Sequence, residues 1–335
     1  MTMEGEIKRE AAFAGQRVNQ KVEFSQALCS VIPRKVMPLQ GLVPALPPPP
    51  APRSLLAALG LLAIGTIAVL AVAGSAAAAT LYVSPLGSDT PTCGAQGAPC
   101  RNIDQAVIRS VDGDTLRVAG GTYQYVNVGN TCGSTITSVV CIANKSLTIR
   151  GGFAASTWVF DPVANSTVID GQNTYRGVLV ASLGPSVHLT MANITIQNGR
   201  ALAPSTDPSA FGGGMLVDNA TITLDRVTFL NNTAIGFPMT GAGGDAAGSG
   251  LALRSSPGVS FLSGVRFQGN SSTGAQGTTR GGYGFGALFI FASAAYVENT
   301  QFINNAALGG NSSGSGDEGG NRGDGLGGGV SVMGG

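Results

Sequence analysis

Charged side chains are scarce in this sequence. Lys and Arg total 19 and Asp and Glu total 18, so charged residues make up 11% of the 335 residues and the formal net charge is +1. A basic nucleic-acid-binding protein needs clustered positive charge, so this composition excludes one and we expect no nucleic-acid partner. It also excludes an acidic disordered tail and a coiled coil with many surface charge pairs.

Histidine and tryptophan occur once each, whereas glycine occurs 51 times. Because glycine destabilises a helix interior by about 1 kcal/mol per residue, long helices are disfavoured. Hydrophobic residues nevertheless make up 43% of the chain, which is enough to bury a large core. The composition therefore predicts an all-β, turn-rich protein.

One long apolar segment runs from Leu55 to Ala79. Its 25 residues carry no charge, which exceeds the roughly 20 residues that span a bilayer as a helix. Basic residues precede the segment, and small residues end it at 73–79, a pattern typical of a signal peptidase site. We predict that residues 54–79 are either a signal peptide or an uncleaved N-terminal transmembrane anchor, which would contact the membrane through residues 55–79. Both alternatives place the rest of the chain outside the cytoplasm, as a secreted or cell-surface protein.

The sequence on either side completes the predicted domain organisation. Residues 1–53 mix charged and proline-rich stretches without lasting periodicity, which predicts a disordered leader. A start codon assigned too early, with Met37 as the true start, would explain the length of this leader equally well. Residues 80–335 form the predicted folded domain.

Four cysteines lie in the predicted folded domain, in two close pairs. Among the three possible connectivities, disulfides Cys93–Cys100 and Cys132–Cys141 are the simplest, and they agree with export. Four buried free thiols are the alternative. A zinc site is disfavoured because the spacings of 7 and 9 residues are unsuitable and the single histidine is remote. We expect no metal and no cofactor.

A repeat of about 35 residues dominates the folded domain. Four nine-residue segments align without gaps: Met191–Gly199, Leu224–Asn232, Leu262–Asn270 and Val297–Asn305. Glycine followed by an apolar run precedes each of them, at Gly177, Gly214, Gly250 and Gly286. A fifth copy begins at Gly329, and the sequence ends before that coil is complete. We therefore expect a solenoid that is truncated at its C-terminal end.

Within each repeat, apolar and polar residues alternate as they do in strands. One repeat contains three predicted strands, Met215–Val217, Thr221–Leu224 and Val227–Leu230, and ends in a long Gly-, Ser- and Thr-rich loop. Each strand should pair with its counterpart in the next coil at about 4.8 Å. An antiparallel sandwich is the competing architecture, but it would not require the same internal order in every unit.

The repeated Phe-x-x-Asn and Gly-Gly-apolar elements resemble those of right-handed parallel β-helix proteins. They are similar to the repeats of polymorphic outer-membrane proteins and related bacterial surface β-helices. The resemblance implies that core side chains stack in the interior and that Asn side chains stack at a turn, where they bond to otherwise unpaired backbone. The implied stack comprises Ile196, Phe229, Phe267 and Phe302 in the core and Asn198, Asn231, Asn232, Asn270, Asn304 and Asn305 at the turn.

The start of the folded domain resembles the first strand, capping helix and first coil of such proteins, over residues 81–89 and 99–123. Ile103, Ala106 and Val107 fall on one face of the predicted helix. That helix would cover the end of the solenoid, where unpaired strand edges invite aggregation.

Residue patterns that carry chemistry are few. Asp170–Arg176 contains the residue types of a catalytic site, but a polar Asp-Gly stretch is more often a turn. His188 should face outward and receives no catalytic role. Asp317, Glu318 and Asp324 could bind calcium weakly, but the nonapeptide spacing of calcium-binding β-rolls is absent, which favours a solvated loop. We therefore predict no catalytic, cofactor-binding or metal-binding residues.

Two functions are compatible with this sequence. The first is an extracellular or cell-surface structural or adhesive protein, which would contact a surface polysaccharide or another cell-surface protein. The alternative is a carbohydrate-active enzyme, a polysaccharide lyase or hydrolase, on the same fold. An acidic cluster beside an arginine in a groove would favour the enzyme. Thr, Ser and Asn over flat faces would favour adhesion.

Overall fold

The chain winds into stacked coils in which each strand pairs with the equivalent strand of the next coil. The computed structural model describes residues 77–129, 132, 137–183, 187–313 and 322–334. The predicted leader and the hydrophobic segment 54–79, except its last three residues, lie outside this range. Within it, no helix has the length and apolar character needed to cross a bilayer.

One helix and twenty-seven strands make up the regular structure of the described residues. The first third contains β1 (Thr80–Val83), α1 (Ile103–Arg109), β2 (Thr115–Ala119), β3 (Gly121–Gln124), β4 (Ser138–Ala143), β5 (Leu147–Phe153), β6 (Thr167–Asp170), β7 (Arg176–Ala181), β8 (Val187–Ala192) and β9 (Ile194–Gln197). The middle contains β10 (Arg200–Leu202), β11 (Ala210–Phe211), β12 (Met215–Asp218), β13 (Ala220–Asp225), β14 (Thr228–Leu230), β15 (Thr233–Ile235), β16 (Ala246–Ala247), β17 (Leu251–Arg254) and β18 (Val259–Ser263). The last part contains β19 (Arg266–Gln268), β20 (Ser271–Thr273), β21 (Gly284–Phe285), β22 (Leu288–Phe291), β23 (Ala294–Glu298), β24 (Gln301–Ile303), β25 (Ala306–Leu308), β26 (Gly325–Leu326) and β27 (Val330–Met333).

These strands form five parallel sheets. Sheet I has seven strands in the order β1-β2-β5-β8-β13-β18-β23. Sheet II (β3-β6-β9-β14-β19-β24) and sheet III (β4-β7-β12-β17-β22-β27) have six strands each. Sheet IV (β10-β15-β20-β25) and sheet V (β11-β16-β21-β26) have four each. This confirms the predicted all-β parallel solenoid and excludes the antiparallel sandwich.

The prediction of a single long loop per coil was wrong. In four successive coils, the stretch between the strand of sheet II and the next strand of sheet III contains two further short strands. One belongs to sheet IV and the other to sheet V. Sheet V covers the outer face of sheet III, so that Ala247 and Phe285 pack on Leu216, Ala252 and Phe289 in a second apolar cluster. The extra strands are short and rich in Gly, Ala and Ser, and they therefore lack the alternation that identifies a strand.

The interior is built from columns of equivalent side chains. Ile196, Phe229, Phe267 and Phe302 are in register on neighbouring strands of sheet II. The rings of Phe229 and Phe267 have centroids 4.9 Å apart and planes 10° apart, and those of Phe267 and Phe302 are also 4.9 Å apart, with planes at 4°. Phe229 and Phe267 are fully buried.

The asparagines form two columns rather than one. Asn198, Asn231 and Asn304 have φ values of 51–53°, in the left-handed region that Asn and Gly tolerate best. Gly269, at the equivalent position, has a φ of 65°. These residues make the turn that follows sheet II, and glycine serves there because the backbone conformation, not the amide, is the requirement.

The second column carries the hydrogen bonds, and two of its members, Asn232 and Asn270, are fully buried. Asn232, Asn270 and Asn305 lie one above another, with Nδ2 of each donating to Oδ1 of the next at 2.9 Å. Asn270 also donates to the carbonyl of Phe229 at 3.0 Å and accepts from the backbone N–H of Asn232 at 3.0 Å. The amides therefore satisfy backbone groups that face the dry interior, where an unpaired group is costly.

Helix α1 packs Ile103, Ala106 and Val107 into the main core. Lys145 Nζ donates to the carbonyls of Val107 at 2.9 Å and Ser110 at 2.7 Å. A lysine at this end of a helix satisfies free carbonyls and complements the helix dipole. The capping role of the helix stays a prediction.

Two disulfides are present, Cys93–Cys100 and Cys132–Cys141. Each closes a short local loop, with sequence separations of 7 and 9 residues. The pairs are those that proximity in the sequence predicts, and their presence suits an oxidising compartment.

Candidate binding surface

A straight column of threonines runs along the outer face of sheet I. Its members, in register on five successive strands, are Thr80, Thr115, Thr148, Thr190 and Thr223. Since paired strands lie about 4.8 Å apart, the column presents one hydroxyl per coil at a regular spacing. We call this column and the side chains beside it on sheet I the threonine face.

Most of these hydroxyls face solvent. Within the described residues, the side chains of Thr80, Thr115, Thr148 and Thr190 make no hydrogen bond to the rest of the chain. Thr80 is exposed and the other four threonines are half-buried. A hydroxyl both donates and accepts, so the face offers an array of unused polar groups on a rigid sheet.

His188 lies beside the last part of the column. Its Nδ1 is 2.9 Å from the hydroxyl of Thr221, and its Nε2 is 3.1 Å from that of Thr223. Partial burial lowers the pKa of the imidazole from its ordinary value of 6.5. At neutral pH the ring is therefore uncharged, and it holds two hydroxyls instead of presenting a free base. The predicted outward orientation of His188 agrees with this position.

At its far end the threonine column continues into an aromatic pair. Phe261 follows Thr223 in register, and Tyr296 follows Phe261. Their ring centroids are 5.5 Å apart with planes 3° apart, and Phe261 is 47% exposed. The hydroxyl array therefore covers the first five strands of sheet I, and the last two strands present an apolar surface instead.

The outer face of sheet II is polar but less regular. Thr195, Thr228, Arg266 and Gln301 are in register there, on four successive strands. Along this row the residue type changes from hydroxyl to guanidinium to amide. The row contains no acidic residue, so it supplies no pair of carboxylates for acid–base chemistry.

The structure does not bring Asp170 and Arg176 together as a catalytic pair. The Asp170 carboxylate accepts from the N–H of Gln172 at 2.8 Å, from Gln197 Nε2 at 3.0 Å and from Asn198 Nδ2 at 3.2 Å. These bonds stabilise a turn. The carboxylate has little capacity left for a substrate.

Arg176 has a separate, structural role. It is buried, and its Nε and Nη2 donate to the carbonyls of Gly212 at 2.7 Å and Phe211 at 2.8 Å. Phe211 belongs to the first strand of sheet V, so Arg176 covers an otherwise open edge. Burial, together with the nearby charge of Arg254, lowers the pKa of Arg176 to about 10.

A polar cleft of about 550 Å³ lies near the start of the solenoid, lined among others by Asp89, Arg101, Tyr123 and Gln124. Asp89 Oδ1 accepts from the N–H groups of Arg101 at 2.8 Å and Asn102 at 3.0 Å. Burial raises the pKa of Tyr123, whose hydroxyl donates to the carbonyl of Ala119 at 2.9 Å. The acid and the phenol are thus both engaged by the protein itself.

No metal-binding cluster of three or more His, Cys, Asp or Glu side chains occurs among the residues the structure describes. Asp317 and Glu318, two of the three residues considered for calcium, lie outside them. Asp324 is described, and its backbone carbonyl accepts from the N–H of Gly284 at 3.0 Å. The calcium hypothesis is therefore not tested.

The threonine column was not predicted, because the four nine-residue segments were aligned on their Phe-x-x-Asn elements, which lie on sheet II. The sequence nevertheless contains a pattern that marks the column. Each threonine directly precedes an apolar residue that points into the core, and these residues are Leu81, Leu116, Ile149, Met191 and Leu224. A search for Thr-apolar pairs at intervals of 33–42 residues would have found the column.

No family model and no curated protein matches this sequence. A crystal structure of pectate lyase Pel9A matches with a TM-score of 0.27 and 17% sequence identity. The match covers 66% of this chain and 54% of that one, so the chain spans about half the length of that protein. Similarity at this level carries no inference about activity. The relation to polymorphic outer-membrane proteins has no support from family models.

Proposed function

We propose that the protein is an exported structural or adhesive β-solenoid whose threonine face binds a hydroxyl-rich polysaccharide. The observation that supports this is the unbroken column of five in-register threonines, four of which have hydroxyls unused by the described chain. A polysaccharide is itself a repeating array of hydroxyls. A rigid column can therefore contact several successive sugars without losing much conformational entropy on binding.

The proposed location outside the cytoplasm rests on two features. The disulfides Cys93–Cys100 and Cys132–Cys141 are typical of proteins that fold in oxidising compartments. The uncharged sequence 55–79 has the composition of an export signal or a membrane anchor. The proposed right-handed winding and the capping role of α1 follow from resemblance to other β-helices.

The test is binding to a panel of soluble neutral polysaccharides, including dextran, mannan and mixed-linkage β-glucan. Thr148→Val with Thr190→Val removes two adjacent hydroxyls while it keeps the shape and the strand propensity of the side chains. Thr195→Val with Thr228→Val is the matched control, because these residues are also in register on adjacent strands, but on sheet II. We expect the first pair to weaken binding about tenfold and the control to leave it unchanged.

Three results would contradict the proposal. Equal losses in both double variants would show that the threonine face is not the contact surface. Release of new chain ends from any of the polymers would favour the carbohydrate-active enzyme. A protein that binds no polysaccharide but retains a cell-surface protein partner would support adhesion through protein contacts instead.

A further inference from the structure

Two arginines occupy adjacent positions beside the threonine column. Arg117 and Arg150 are in register on β2 and β5, and both are exposed on the outer face of sheet I. Their backbones are thus about 4.8 Å apart. Like charges directly opposite one another destabilise a sheet, so this pair requires a compensating interaction.

No carboxylate supplies that compensation within the described chain. Neither guanidinium takes part in an ion pair or a hydrogen bond among the described residues. Aromatic rings lie against them instead. The Phe153 centroid is 5.5 Å from Cζ of Arg117 and 6.0 Å from Cζ of Arg150, and the Phe160 centroid is 3.9 Å from Cζ of Arg150. A cation–π contact uses none of the guanidinium N–H groups as a hydrogen-bond donor, so these groups are available to a ligand.

The loop that carries Phe160 is held by its own hydrogen bonds. Trp158, which is buried, donates its N–H to the carbonyl of Ala154 at 2.9 Å, and the N–H of Asp161 donates to Gly152 at 2.8 Å. The carboxylate of Asp161 accepts from two backbone N–H groups of the same loop, at 3.1 Å each. The acid therefore stabilises the loop, and the rings are positioned before any ligand arrives.

Hydroxyl groups lie next to the guanidinium groups. Thr115 precedes Arg117 by two residues on β2, and Thr148 precedes Arg150 by two on β5, so all four side chains share one face. The four residues form a rectangle of two hydroxyls and two cations, about 4.8 Å between the strands and about 6.6 Å along them. An arginine fork binds a carboxylate or a sulfate through paired N–H groups, while the hydroxyls suit the uncharged part of a sugar.

We propose that Arg117 and Arg150 form an anion subsite of the threonine face, which selects polysaccharides bearing carboxylate or sulfate groups. This rests on the proposed function, because the subsite adds charge selectivity to a surface that binds sugars. A nucleic acid fits the surface less well, since its binding depends on neutralising many phosphates and this chain has a net charge of only +1.

The experiment compares dextran, carboxymethyl-dextran and dextran sulfate, which share one backbone. We expect the protein to bind at least one charged form about tenfold more tightly than dextran, with a preference that decreases from about 50 to about 200 mM salt. Arg117→Gln with Arg150→Gln should abolish the preference. Arg117→Lys with Arg150→Lys should keep part of it, because charge remains while the planar fork is lost.

Arg109→Gln with Arg266→Gln is the control for net charge, since both arginines are exposed and lie elsewhere. This variant should keep the preference, and the arginine variants should unfold close to the wild-type temperature because the substituted side chains are exposed. Persistence of the preference in the double glutamine variant would overturn the subsite, as would its equal loss in the control or the absence of binding to both charged dextrans.

If neutral polymers bind through the threonines while charge has no effect, the subsite fails and the proposed function stands. If Thr148→Val with Thr190→Val changes no binding while the arginine effect persists, the proposed function fails instead.

Discussion

Gly250 packs directly against the ring of Phe267. A β-carbon at Gly250 would lie 2.7 Å from Cδ1 of that ring, closer than such atoms approach in proteins. The same relationship joins Gly177 to Ile196, where the distance to Cγ2 would be 2.5 Å. In these two coils the repeated glycine and the core residue of the following nine-residue segment are therefore two sides of one contact. Glycine is needed at position 250 to make room for the stacked ring, whereas a β-carbon at Gly214 would instead meet the carbonyl of Gly250 and the amide of Asn232.

Gly250→Ala should lower the free energy of unfolding by about 1–3 kcal/mol, because the added methyl group overpacks a dense core. Phe267→Leu makes room at the same place and is destabilising on its own. The double variant should be more stable than the sum of the single effects predicts, by about 1 kcal/mol. Urea denaturation of the four proteins measures this coupling. Strict additivity would show that the two residues are not in contact.

Asn270→Ala should lower the free energy of unfolding by about 2–4 kcal/mol, since it leaves the carbonyl of Phe229 and the N–H of Asn232 without partners in the interior. The control is Asn231→Gly. Asn231 has a left-handed φ of 53°, and glycine already occupies the equivalent position at Gly269. We expect this control to change stability by less than about 0.5 kcal/mol. Thermal unfolding distinguishes the two, and similar losses would contradict the assignment of separate columns.

His188 predicts a specific dependence of stability on pH. Burial lowers its pKa in the folded chain below 6.5, while the unfolded chain keeps the ordinary value. Between these two values the unfolded chain binds a proton that the folded chain does not, so stability falls as the pH falls below about 6.5. His188→Gln should reduce this loss between about pH 7.5 and about pH 5.5. Denaturant titrations at both pH values check it, and an NMR titration that gave His188 a pKa above 6.5 would contradict it.

The sequence predicted the architecture because the solenoid repeats the same contact in every coil. Phe229, Phe267 and Phe302 recur at nearly constant intervals, and a recurring large side chain in a glycine-rich sequence indicates stacking. The separation of the asparagines into two columns was not predictable in this way. Asn231 and Asn232 are adjacent and identical in type, and only the backbone angles and burial distinguish them.

The candidate surface was harder to predict than the core. Thr148 and Thr190 are 42 residues apart, whereas Thr115 and Thr148 are 33 apart, because the length of the connections varies. A ladder on the outer face is fixed by strand register rather than by a constant repeat length. The arginine pair follows from the same register, since Thr-Leu-Arg at 115–117 and Thr-Ile-Arg at 148–150 align only when the threonines of sheet I are taken as the reference.

The register of the threonine column is tested most directly by disulfide cross-linking. Thr148→Cys with Thr190→Cys places two cysteines on adjacent strands at about 4.8 Å, within the range that a disulfide bridges. Thr115→Cys with Thr190→Cys places them two strands apart, at about 10 Å, which is too far. We expect mass spectrometry of the oxidised, non-reduced proteins to find an intramolecular cross-link in the first variant and free thiols in the second. A cross-link between positions 115 and 190, or none between 148 and 190, would contradict the in-register column on which the proposed binding surface depends.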